Sequence, residues 1–145
     1  MIKKLIYATL VGSVVQFLLG WLIYGLLLAK FMDSQMTHYE GLMKEMNTGS
    51  FMILVFISGL VLSFLIAFIF QRWGKFETFT KGLTAGMFLG FFMALGYDLF
   101  SIASMNLMTI SAFIVDVISN TVVVGILGAI IAWVLGFKTK SAPAQ

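Results

Sequence analysis

The chain predicts an all-α polytopic membrane protein, a four-transmembrane-helix bundle with an amphipathic loop helix on its outer side. Of its 145 residues, 61% are hydrophobic and 10% charged, far from the composition of a soluble domain. Four apolar stretches each approach or exceed the roughly 20 residues that cross a bilayer as a helix. Lys and Arg fall outside these stretches and gather on one side of the membrane they imply. A transmembrane barrel would instead show ~10-residue strands of alternating polarity, and no such pattern is present. No polar segment is long enough for a second domain, so residues 1–140 read as one transmembrane unit.

The first helix covers about residues 5–28. It follows Lys3 and Lys4 as a signal peptide would, but its apolar run is too long for an h-region and lacks a small-x-small cleavage site, so it reads as retained. Between the first two spans, Met32, Met36, Tyr39, Met43 and Met46 form one helical stripe with charged residues between them. That spacing predicts an amphipathic helix over about 32–47 on the outer surface. The second and third spans cover about 51–70 and 82–100. The last apolar stretch is too long for one crossing, and counting back from Phe137 at 1.5 Å per residue leaves a span of about 114–137. Residues 101–115 then lie along the interface, dip in as a re-entrant segment, or extend the last helix. Residues 141–145 hold the only proline and read as a disordered tail.

Four crossings place Lys3, Lys4, Arg72, Lys75, Lys81, Lys138 and Lys140 on one side and Lys30 and Lys44 on the other. Both termini are therefore expected in the cytoplasm, with the chain in a bacterial inner membrane. The basic residues flank spans rather than line a face with aromatics, which argues against nucleic acid as a partner. The chain has no cysteine, which removes disulfides, thiolate metal sites and thiol nucleophiles.

Small residues recur about every fourth position on each span: Gly12 and Gly20 around Gln16; Gly59 and Ser63; Gly82, Gly86 and Gly90; Gly125 and Gly128. Helices in lipid associate where small residues let backbones approach, so these positions are expected at packing contacts. On the last helix Gly125 and Gly128 lie nearly opposite Asp116 and Asn120, leaving one face for the bundle and one for a second copy or another membrane protein. Gln16 falls near mid-bilayer, where a polar side chain most often bridges helices.

The third ridge continues through Ala94 to Asp98. Asp98 and Asp116 are acids inside apolar stretches that hold no Lys or Arg, so each needs a proton, a hydrogen bond, a cation or nearby water. Asp98 lies about 25 Å along its helix from Lys81, and Asp116 about 30 Å from Phe137. Both are near the outer surface, with Asn120 and Tyr24 at a similar level. Two readings follow: an outward-facing polar pocket of Tyr24, Asp98, Asp116 and Asn120 with His38 as a cap, or groups that hydrogen-bond helix ends at the headgroup level.

The loop methionines with His38 have the softness for Cu(I), but methionine on an amphipathic helix is ordinary apolar contact, and no metal is expected. Phosphate loops and hydrolase or metalloprotease motifs are absent from the sequence, so neither a cofactor nor catalysis is expected. With Gly20, Trp21, Tyr24, Lys30 and Phe31, a glycine-ridged third helix and Asp116 opening the last, the chain resembles small bacterial four-helix integral membrane proteins of unknown function. The resemblance implies the fold and carries no activity. Two functions stay open: binding or passing a small solute, cation or proton through the outer pocket, or serving as a non-catalytic subunit that docks through its helix ridges.

Overall fold

The computed structural model describes residues 2–41 and 48–137. Helix α1 (Ile2–Gly20) runs on without a break into a π-helical segment, Trp21–Leu27; a short α2 (Ala29–Gln35) follows; α3 (Gly49–Ile69) ends in a second π-helical turn, Phe70–Gly74; then come α4 (Phe79–Ser104) and α5 (Ile110–Gly136). Four of these helical rods, 26 or 27 residues each, are long and apolar enough to cross a membrane. No strand occurs among the described residues.

Every span is longer than the sequence predicts. The third starts at Phe79 rather than 82 and ends at Ser104 rather than 100, and the fourth starts at Ile110 rather than 114. Hydropathy marks the hydrocarbon core, whereas backbone hydrogen bonding carries a helix on into the headgroup layer. Residues 101–115 are accordingly divided: Ser101 to Ser104 close α4, an extended link follows, and Thr109 caps α5 by accepting from the Ala112 amide at 3.2 Å. They form no re-entrant segment.

The loop between the first two spans departs most from expectation. Helix starts at Ala29 and stops at Gln35, and Met36 turns extended and pairs with Met108. The Thr37 amide donates to the Leu107 carbonyl at 2.8 Å and the Thr109 amide to that of Gln35 at 3.1 Å. The Thr109 hydroxyl donates to Gln35 Oε1 at 2.7 Å. Backbone pairing across two loops replaces the amphipathic continuation, and it gives the Gln35 carbonyl, left open at the end of α2, a partner in the Thr109 amide. Residues 42–47, 138–140 and the tail 141–145 lie outside the described residues.

Helix α5 is the hub. It packs against α1, α3 and, most closely, α4, while α1 and α3 also pack on one another. The α4–α5 contact steps by four on both helices. A Cβ on Gly82 would strike the Gly128 carbonyl and Ala132, one on Gly86 the Val124 carbonyl, and one on Gly90 would lie 2.9 Å from the Asn120 carbonyl. In return, a Cβ on Gly128 would lie 2.6 Å from the Gly82 carbonyl. The glycine face of α5 is thus filled by α4 of the same chain. Gly12 meets Ser63 and Ile131, and Gly59 meets the Ser13 carbonyl and Gln16. Gly20 is an exception, with nothing within 4 Å of its would-be Cβ. The apolar core is shared by Ala8, Ile66, Phe70, Leu127 and Ile131.

Both termini of the described chain sit at one end of the bundle, where Lys4 Nζ donates to the Leu135 carbonyl at 3.3 Å. The paired loops occupy the other end.

Candidate functional site

The ridge register carries the acids together. Because Gly82 faces Gly128, Gly86 faces Val124 and Gly90 faces Asn120, two further steps of four bring Asp98 to the stretch from Ala112 to Asp116. Asp98 lies six residues before the end of α4 and Asp116 six residues after the start of α5. Antiparallel packing therefore sets them at one level, about 9 Å inside the helix ends.

Tyr24 reaches this level from α1 by way of the π-helical segment. Its i→i+5 pattern is visible at the end of the segment, where the Leu28 amide donates to the Ile23 carbonyl at 2.8 Å. A π turn holds more residues than an α turn, so it offsets the drift that a spacing of four accumulates from Gly12 through Gln16 and Gly20. Tyr24 then faces α5 instead of lipid. Asn120 Nδ2 donates to the Tyr24 hydroxyl at 3.3 Å and to Asp116 Oδ2 at 3.5 Å. The Tyr24 hydroxyl and the carboxyl groups of Asp98 and Asp116 all lie within interacting distance of one another.

Asp98 is 2% exposed, and its Oδ2 has no hydrogen-bond partner among the described residues. Asp116, Asn120 and Tyr24 are half-buried. Four residues drawn from three helices are therefore brought together, as their depths suggested. His38 is not with them. It is exposed, and its Nε2 lies 3.1 Å from the Asp33 carbonyl oxygen and 3.5 Å from Oδ1 of the same residue. What closes this end of the bundle is the pairing of Gln35, Met36 and Thr37 with residues 107–109.

Three contributors were not singled out from the sequence. Ser101, buried one turn beyond Asp98, turns its hydroxyl back to the Tyr97 carbonyl at 3.0 Å. Gln35 and Thr109 clamp the two loops. Thr109 had a local signal, a hydroxyl residue just before a helix-forming run, while the pairing of Gln35 with it is a long-range event without one. Gln16 lies against Gly59 near mid-span, and its Oε1 and the Ser63 hydroxyl are buried without a partner among the described residues. Among those residues, no three His, Asp, Glu or Cys side chains cluster in a way that could hold a metal ion.

Four membrane-capable helices with α5 as their hub, and acids packed between them, define a small polytopic membrane protein. The chain belongs to the DUF1761 family, described as a protein of unknown function, whose model matches residues 7–132. No curated protein and no solved structure matches the chain.

Proposed function

We propose that the protein binds a proton or a small monovalent cation at the Tyr24–Asp98–Asp116–Asn120 cluster. The observation that carries this reading is the buried Asp98 carboxyl, with Oδ2 unpartnered, beside a second carboxyl on α5. Two neighbouring carboxyls away from bulk water do not both keep an uncompensated charge. A proton shared between them, or a cation coordinated by carboxyl, hydroxyl and amide oxygens, balances it. Two carboxyls with neutral oxygens suit a hard monovalent ion better than a transition metal. The excess of Lys and Arg at the end with both termini supports a cytoplasmic placement of that end and an outward-facing acidic cluster, in a bacterial inner membrane. The docking alternative has less support, because the glycine faces of α4 and α5 are filled within the chain.

The test is infrared difference spectroscopy of the reconstituted protein, titrated with pH in sodium and in choline buffers. A carboxylic-acid carbonyl band that titrates in wild type and disappears in Asp98→Asn is expected; its displacement by sodium and not choline would assign a cation. A spectrum insensitive to pH and sodium, and unchanged in Asp98→Asn and Asp116→Asn, would remove the reading.

A further inference from the structure

We propose that the opposite end of the bundle, where both termini lie, holds one anionic phospholipid, with its phosphate at Lys4 and Lys75 and an acyl chain along α1 and α5. Two adjoining cavities of about 310 Å³ each carry the proposal. The first is a groove whose walls are Tyr7 and Val11 of α1 and Val134 and Phe137 at the end of α5, with Lys4 at its head. Positions 4, 7 and 11 form one stripe down α1, so the groove runs along the helix for about 10 Å. The second cavity is more polar than the first, though its walls are still largely apolar. Lys4, Gln71, Lys75 and Glu77 line it, with Phe70 and Phe76 as walls.

Lys4 belongs to both cavities, which makes them parts of one amphipathic site. The Lys4 stem lies on apolar surface while its ammonium reaches the polar side, where it also donates to the Leu135 carbonyl. Lys75 is held at φ +46° where the π-helical end of α3 turns back, the turn being closed by the Phe76 amide donating to the Phe70 carbonyl at 3.1 Å. A non-glycine residue adopts that conformation rarely. Exposed Tyr7, Trp73, Trp133 and Phe137 mark the headgroup level at this end, so the groove opens to the acyl region and the polar cavity to the interface.

Charge selects the occupant. Two lysines against one glutamate favour an anion, and exposed Lys3, Arg72 and Lys81 add to the positive field at the same end. Lysines supply donors to a phosphodiester, and Gln71 and Glu77 suit the hydroxyls of a glycerol head. A choline head offers no donor to them. Free phosphate would use the polar cavity and leave the groove empty.

The test is native mass spectrometry of the full chain in detergent, titrated separately with phosphatidylglycerol, phosphatidylethanolamine, phosphatidylcholine and inorganic phosphate. Phosphatidylglycerol is expected to bind at least about tenfold more tightly than either zwitterionic lipid, a gap in line with one or two charge contacts. Lys4→Gln and Lys75→Gln should each weaken it by about fivefold, whereas Lys4→Arg and Lys75→Arg should retain it. Val11→Trp, at a position already open to lipid, should block the groove and abolish the lipid adduct with an unchanged circular dichroism spectrum. Equal binding of the three lipids, equal binding by phosphate alone, or full retention in the glutamine variants and Val11→Trp would each overturn the proposal. The acidic cluster lies at the other end, so its test is independent.

Discussion

An acid buried among helices is retained against its own cost. Asp98 is 2% exposed with one carboxyl oxygen unpartnered, and a polar group in that condition destabilises by about 1–3 kcal/mol. Replacing it by an apolar residue of similar volume should therefore stabilise the fold. Asp98→Leu is expected to raise resistance to unfolding in a denaturing-detergent titration by about 1 kcal/mol or more while abolishing the titrating carboxyl band. A fall in stability instead would mean that the acid is a structural group. Asn120 is the opposite case: it links Tyr24 and Asp116, so Asn120→Leu should lower stability by about 1–2 kcal/mol through the two acceptors left behind. Tyr24 and Asp98 were legible as residues, because an ionisable side chain inside an apolar stretch announces itself. That one Asp98 oxygen would lack a partner while Asn120 holds two was not legible, since both facts depend on angles between helices.

At the scale of elements, the spacing of glycines decides which helix faces which. A methyl on Gly86 would enter the Val124 carbonyl and come within 3.1 Å of Gly125 Cα, and backbone cannot give way there as a flexible side chain would. Gly86→Ala should cost about 1–3 kcal/mol as an overpacking defect, and Gly86→Leu should prevent α4 from docking on α5. Gly20→Ala and Gly96→Ala meet nothing within 4 Å and should be neutral or stabilising by up to about 1 kcal/mol, the helix propensity difference. Thermal unfolding of the three alanine variants in one detergent separates them. Gly90 couples ridge to site, because its Cβ would press on the Asn120 carbonyl; Gly90→Ala should shift the acid titration as well as stability. The loop clamp has its own signature. Thr109→Val removes the cap on Ala112 and the bond to Gln35, worth about 1 kcal/mol for the cap alone, and should speed amide exchange in residues 105–112 with little effect mid-span. The ridges themselves could be read from the chain as a period of four, whereas the π-helical segment at Trp21–Leu27 could not: its residues would serve equally well in an α-helix.

Across the whole molecule, even crossing number and positive charge at one end give a topology that can be measured directly. The chain has no cysteine, so single replacements report without background. Tyr39→Cys in the outer loop should react with a membrane-impermeant maleimide in intact cells, and Lys3→Cys only after permeabilisation. The reverse pattern would invert the assignment of the acidic cluster to the outer face. The arrangement of helices also separates chemistry by depth: acids lie at the loop-clamped end, unpartnered Gln16 and Ser63 near the middle, and lysine-lined cavities at the end with the termini. Such segregation follows from the cost of charge in lipid, which confines ionisable groups to the ends unless function retains them deeper.

The amino-acid sequence by itself determined that the chain forms four helices long and apolar enough to cross a membrane, which ridges are smooth, and how far along its helix each buried acid lies. These follow from composition and from a fixed rise per residue, both local quantities. Tertiary structure alone decided that α5 is the hub, that the α4 ridge is filled by α5, that Tyr24 turns inward, and that Met36 and Thr37 pair with residues 107–109 instead of continuing the helix beyond Gln35. Those outcomes turn on which surfaces meet. In lipid that choice is made by close backbone packing and the satisfaction of polar groups between helices, and a single strand of sequence does not display either.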